Sequence, residues 1–359
     1  MKKDFFQNKK TTYDNLIMSW SCFGDFILIS QGIKTLIESG QVKRGIIITH
    51  ERSLKSLLSS GENIILLYPN SSLKDFVYLL NLSLERNIFI LHDMPSYNKF
   101  SKQIRLIVSI ILTLRYRSKL FLMIDKNFKS DITTRMSKVF ASAYADFYIK
   151  TKKHISQLII DMLYDAKIIS EKSVCNYDIK LNETELDLKN IFKDESEYIV
   201  LHPFASNAGK SLTAEWCIES IKKINQAYPF LKILIIGGSA DSNKIQAIIS
   251  EVKNSYNMSV GYNFSQSLYV IKNSKLSISI PSGPAHFAAF YKEPQIVIWL
   301  ENNTYSYIPT YNPNAVFIIN NKVFDANNVY SENTDNKVFL PDTELVLSQI
   351  KNIFEKGKN

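Results

Sequence analysis

One pattern constrains this chain more than any other, and it runs through the sequence twice. Short apolar runs of strand length alternate with amphipathic stretches of helix length. In the first half, 16–20, 45–49, 63–68, 87–92, 119–124 and 146–150 read as strands. The intervening 26–38, 51–59, 71–83, 99–114, 132–140 and 154–164 read as helices. In the second half the spacing predicts strands at 198–202, 231–237, 257–260, 275–280 and 294–299, with helices at 213–227, 241–253, 265–273 and 283–291. Strands separated by helices in this way pair in parallel, because each crossover must carry the chain back to the same edge of the sheet.

The fold class is therefore α/β, with two Rossmann-like doubly wound domains facing a cleft. Ligands in such folds bind outside the carboxyl ends of the strands. The expected organisation is a mobile polar arm at 1–13, a first domain at 14–169 and a linker at 170–197. A second domain follows at 198–341, less regular from 301 onward, and then a closing C-terminal helix within 342–359.

Composition narrows the function classes. Hydrophobic residues make up 45% and charged residues 21% of the 359, the balance of a folded globular chain. The net charge of +9 points to an anionic partner. The excess is concentrated: between Tyr97 and Ser130, Lys99, Lys102, Arg105, Arg115, Arg117, Lys119, Lys126 and Lys129 face only Asp125. Aromatic residues are not interleaved with these cations as in a nucleic-acid module, so nucleic acid is not expected as a partner. Cys22, Cys175 and Cys217 form no C-x-x-C pair, and a reducing cytoplasmic location is the simplest assignment. The basic N-terminus lacks the apolar core of a secretion signal, and the longest apolar run, 106–114, is half of what a membrane span needs.

The residues that could carry chemistry sit where strands turn into helices. Gly24-Asp25 follows the first strand, and Asp25 either stabilises the first helical turn or serves as a general base on a hydroxyl. The loop after strand 198–202 offers Ser206, Asn207 and Lys210, suited to phosphate oxygens, or a solvated lysine. Gly237-Gly238 leads to Asp241, which either meets a nucleotide ribose or caps its helix. The turn Ile280-Pro281-Ser282-Gly283-Pro284-Ala285-His286 has the most pronounced chemistry. There Ser282 suits an N-cap, Gly283 admits a close ligand and Pro284 fits the first turn. The resulting helix N-terminus suits a phosphate or diphosphate, and its dipole disfavours protonation of His286. No P-loop, G-x-G-x-x-G, H-E-x-x-H or G-x-S-x-G pattern is present, so no catalytic metal, dinucleotide cofactor or α/β-hydrolase chemistry is expected.

Taken in order, these pieces resemble glycosyltransferase family 9, the group of the ADP-heptose:lipopolysaccharide heptosyltransferases. Ser21-Cys22-Phe23-Gly24-Asp25 resembles its N-terminal LGD turn, and Lys153-His154-Ile155 its KH segment. His202-Pro203 with Ser206, Lys210 and Trp216 resembles the HPG(A/S)…K.W region. Gly237-Gly238 with Asp241 and the stretch 282–289 resemble the GG…(E/D) and D-(S/T)-G-x-x-H-x-A turns. Two positions depart from the pattern: Pro281 stands where the family has an aspartate that contacts the donor sugar, and Phe204 replaces the glycine of HPG, narrowing the phosphate loop.

The resemblance implies a GT-B fold and inverting transfer without a metal or other cofactor. Asp25 would be the base toward the acceptor hydroxyl. Ser206, Lys210, Asp241, Ser282, Gly283 and His286 would hold the nucleotide-sugar donor, and Lys99, Lys102 and Arg105 an anionic lipopolysaccharide core acceptor. Peripheral contact with the cytoplasmic face of the inner membrane would follow. A different nucleotide sugar, or a non-catalytic GT-B protein that binds nucleotide or glycolipid, is the alternative that Pro281 keeps open.

Overall fold

The structure is a computed structural model, and it describes residues 12–18, 23–40, 45–48, 64–67, 83–90, 107, 110–115, 117, 119–125, 139, 141, 143–147, 153–171, 181, 183–192, 196–205, 208–300, 307–329 and 339–356. It divides into two compact units, Met1–Leu181 and Asn182–Asn359.

In the first unit the described strands are β1 (Thr12–Met18), β2 (Gly45–Ile48), β3 (Ile64–Leu67), β4 (Ser83–Ile90), β5 (Lys119–Asp125) and β6 (Ala143–Phe147). They form one parallel sheet in the order β3-β2-β1-β4-β5-β6. Two boundaries differ from expectation. β1 begins at Thr12, inside the expected arm, because Thr12 and Tyr13 pair with Ser83 and Leu84 beyond a register shift before Asn15. The same pairing starts β4 at Ser83, the last residue of the expected helix 71–83. The polar run Thr12-Tyr13-Asp14-Asn15 carries no apolar signal for a strand, so the ladder alone sets that boundary.

Helices α1 (Phe23–Glu38) and α2 (Ile155–Asp165) pack closely in this unit. Ser156 Oγ donates to the Leu28 carbonyl of α1. A Cβ on Gly32 of α1 would lie 2.3 Å from Ile159 Cγ2, so only glycine allows this approach. His154 caps α2, its Nδ1 accepting from the Ser156 N–H at 3.4 Å, and Lys153 pairs with Asp161. The helix stops at Lys167, at φ 56°, where Lys167 N–H donates to Tyr164 O and Ile168 N–H to Leu163 O.

The second unit holds β7 (Tyr198–His202), α3 (Ala214–Ala227), β8 (Lys232–Ile235), α4 (Ser242–Ser250), β9 (Ser255–Asn257), α5 (Phe264–Lys272), β10 (Ser277–Ser279), α6 (Gly283–Phe290), β11 (Gln295–Ile298), β12 (Ala315–Ile319), β13 (Lys322–Asp325) and α7 (Thr343–Lys356). The sheet order is β13-β12-β11-β10-β7-β8-β9, parallel except for the antiparallel β12–β13 pair. Within 301–341, expected to be irregular, the chain adds a sixth parallel strand and a hairpin. Asn320 and Asn321, at φ 50° and 58°, make the two-residue turn between them.

Ile199, Leu201, Ile233, Ile235, Ile278, Ile296 and Ile298 share one core with Trp216 and Ile221 of α3, Ile245 of α4 and Ile350 of α7. Strands covered by helices need such continuous apolar runs, because neither face meets water. Trp216 does more than fill space, since its Nε1–H donates to the Pro341 carbonyl at 2.7 Å and ties the approach to α7 down. No helix of the described residues is long and apolar enough to cross a membrane.

Candidate functional site

The order of the second sheet reverses between β7 and β10, the point at which a doubly wound fold opens a crevice. Both strands end there in polar residues: His202 closes β7, and Ser279 of β10 runs through Ile280-Pro281 to Ser282 at the start of α6. Strand pairing aligns Ser279 with His202, which brings two segments 80 residues apart side by side.

Ser282 does not act as the expected N-cap. Its hydroxyl caps no helical N–H; it lies 2.9 Å from His202 Nδ1 and 3.0 Å from the Ile280 carbonyl. The Ser282 hydroxyl has one proton for these two neighbours, and the tautomer of His202 sets the direction of the bond to Nδ1. The partnership is tertiary and overrides the local capping preference. Pro284 contributes no N–H, and the Gly283 N–H makes no hydrogen bond among the described residues, so the first turn of α6 keeps a donor for an anion.

His286 lies in that first turn, 6% exposed, and its Nδ1 has no hydrogen-bond partner. Burial, and then the positive charge of Lys210, pulls its pKa down to about 3; burial alone pulls His202 down to about 4. Both imidazoles are neutral at physiological pH. Lys210 closes the short 3₁₀ turn Ala208–Lys210. Its loop is drawn shut by Leu212 N–H to Pro203 O at 2.8 Å and Ala205 N–H to Ser211 Oγ at 3.0 Å. Thr213 then caps α3 by accepting from the Trp216 N–H.

Two further sequence candidates have structural duties. Asp241 Oδ2 accepts from the Gly238 N–H at 3.1 Å, closing its own turn, and Lys244 stands 3.9 Å from Oδ1. Gly237 packs tightly beside it: a Cβ there would come 3.1 Å from Ile245 Cδ1 and 3.3 Å from Asp241 Oδ2, so those side chains would have to give by a few tenths of an ångström. Phe204 is buried in the core of the second unit, with the Lys244 ammonium 5.2 Å from its ring centre, while residues 206 and 207 of the loop lie outside the described residues. Pro281, in the place of an acid, is buried.

The structure thus brings Lys210, Ser282, Gly283 and His286 to one strand-end region, with Asp241 one strand further along the sheet order. Asp25 is the third residue of α1, after β1 in the first unit, and its side chain lies outside the described residues, as do Ser206, Lys99, Lys102 and Arg105. Sequence reasoning gave His202 no role of its own. Its place beside Pro203 in the motif was visible, but its partner was not. Among the described residues no group of three or more His, Cys, Asp or Glu side chains could hold a metal ion.

The model of glycosyltransferase family 9 (heptosyltransferase) matches residues 124–337, more than half of the chain. Among solved structures, the chain resembles the E. coli ADP-heptose LPS heptosyltransferase II with a TM-score of 0.66 at 13% identity, covering 96% of this chain and 100% of that one. A glycosyltransferase family 9 protein of Veillonella parvula gives a TM-score of 0.65 at 14% identity over 85% of each chain. The E. coli heptosyltransferase WaaC, solved with ADP, gives 0.56 at 12% identity over 79% of this chain and 86% of that one. No curated protein sequence matches the chain. At these identities the structural likeness establishes the fold.

Proposed function

The chain belongs to glycosyltransferase family 9 (heptosyltransferase), and from that membership we propose that it transfers heptose from ADP-heptose, with inversion and without a metal, onto a lipopolysaccharide core acceptor. The observation that carries the reading is the opening turn of α6 at the sheet's switch point, where an undonated Gly283 N–H, a buried His286 with an unpartnered Nδ1 and the charge of Lys210 converge. Such a turn suits the diphosphate of a nucleotide sugar. In the transition state, negative charge develops on the leaving ADP. A lysine and fixed backbone dipoles stabilise that charge without having to reorganise. WaaC, a structure of similar fold, was solved with ADP, which supports ADP as the nucleotide here.

In this mechanism Asp25 takes the proton of the acceptor hydroxyl as that oxygen attacks the anomeric carbon, and the bond to the ADP oxygen breaks on the opposite face. The acceptor reading draws on the basic 97–130 region, and the cytoplasmic face of the inner membrane is where such an acceptor would be met.

Transfer from ADP-heptose and from a panel of other nucleotide sugars onto truncated core acceptors tests the proposal. Transfer that Asp25→Asn abolishes while ADP binding persists supports it, and full activity in that variant removes Asp25 from the mechanism. Pro281 favours one second reading, because it offers the donor sugar no carboxylate: a different sugar, or nucleotide binding without transfer. ADP binding with no turnover of any donor would establish the latter.

A further inference from the structure

Helix α6 carries Gly283 and His286, yet its own side chains do little to fix how it sits. Every residue from Ala285 to Phe290 is buried, and apart from His286 all are apolar. Burial of methyl groups is non-directional, so Ala285, Ala288 and Ala289 set neither the rotation of the helix nor its advance along its axis. Phe287 meets Phe264 of α5 edge-on, with ring centres 5.1 Å apart, and pins one side. Direction comes from two polar side chains outside the helix. Gln295, fully buried at the start of β11, donates from Nε2 to the Ala285 carbonyl at 2.7 Å. Its Oε1 accepts from Asn312 Nδ2 at 3.3 Å, and that amide also donates to the Glu293 carbonyl at 2.9 Å. The Tyr311 hydroxyl donates to the His286 carbonyl at 3.2 Å. An amide buried in a sheet costs desolvation that an apolar residue would avoid, and what it adds is a fixed direction.

We propose that Gln295 and Tyr311 are positioning residues: by holding the Ala285 and His286 carbonyls they set the rotation and advance of α6, and so where the Gly283 N–H and the His286 imidazole meet the donor diphosphate. This role rests on the reading of that turn as the diphosphate site. Inside an α-helix such carbonyls already accept from the N–H four residues on, so the two side chains do not serve to satisfy orphaned backbone groups. A helix displaced by about 1 Å would carry its first-turn donor out of hydrogen-bond range of a bound phosphate oxygen. Asn314 of the same loop gives a contrast, since its side-chain amide reaches the Lys292 carbonyl at 2.8 Å, beyond the end of α6.

Calorimetric ADP affinity and hydrogen exchange over 283–290, both in the full-length protein, test this. Gln295→Met keeps the side-chain length without its hydrogen bonds, and Tyr311→Phe removes one hydroxyl. Each should weaken ADP binding about fivefold to tenfold, the effect of one net hydrogen bond. Each should also speed exchange in 283–290 by a similar factor while β7 exchanges at the parental rate, the mark of local rather than global loosening. Asn314→Ala should leave ADP affinity and α6 exchange unchanged, even where its melting midpoint falls as far as that of Tyr311→Phe. If Gln295→Met melts too early to assay, Tyr311→Phe carries the test. Parental ADP affinity with parental α6 exchange in both variants overturns the proposal. So does exchange that rises equally across the whole second unit, or the same affinity loss in Asn314→Ala. A parent that binds no ADP would refute the donor reading, and faster exchange confined to α6 would then still support the hold on the helix.

Discussion

Lowering the pH from neutral to about 5 should destabilise the second unit by roughly 4 kcal/mol through two histidines alone, at about 1.4 kcal/mol per unit of pKa difference. His202 and His286 titrate at about 4 and about 3 in the folded chain, because burial penalises their charged forms and Lys210 adds to the effect at His286. An unfolded histidine titrates near 6.5, so between these values the unfolded chain binds more protons. The sign follows: the stability is fully present above about pH 6.5 and is lost as the pH falls toward the folded values. At about pH 5 each unfolded imidazole is almost fully protonated and each folded one almost neutral, which is worth about 2 kcal/mol per histidine.

Urea unfolding followed by tryptophan fluorescence in a Trp20→Phe background measures this, since the remaining Trp216 and Trp299, 7% and 1% exposed, both lie in the second unit. His286→Leu removes one titrating group whose Nδ1 has no partner to lose. That variant should show about half of the acid effect of its parent. Equal acid sensitivity in both, or none in the parent, would refute the buried neutral His286.

Three other outcomes are expected. Gly32→Ala should destabilise the chain by about 1–3 kcal/mol in thermal melts, because the 2.3 Å approach to Ile159 outweighs the roughly 1 kcal/mol that alanine gains in a helix; stabilisation would show that α1 and α2 are not so close. Trp216→Phe should cost about 1 kcal/mol and speed hydrogen exchange around 339–345, since the Pro341 carbonyl loses its donor. Lys210→Ala should weaken ADP binding about tenfold to a hundredfold in calorimetry, more at low salt than at high; unchanged affinity would remove Lys210 from the site.

Much of the second unit was legible in the sequence because its signals are local. The apolar strand 198–202 and the helix 343–356 emerge from periodicity within their own residues. The β12–β13 hairpin also had a local signal, Asn320-Asn321 between β-branched and aromatic residues, which the polar setting of 301–341 obscured. The start of β1 had none, because a polar strand end is defined by the partner it pairs with. The candidate site divides along the same line. The sequence by itself marked a strand-to-helix turn at 280–286, with a glycine, a proline and a histidine suited to an anion. Only the tertiary structure decided what each polar group there does. Ser282 turns from its helix to His202, 80 residues away, and Asp241 is engaged by its own turn. Phe204 goes into the core. Helix and strand periodicity is written within one or two turns of chain, whereas a hydroxyl's partner is chosen among all the groups that folding brings within 3 Å of it.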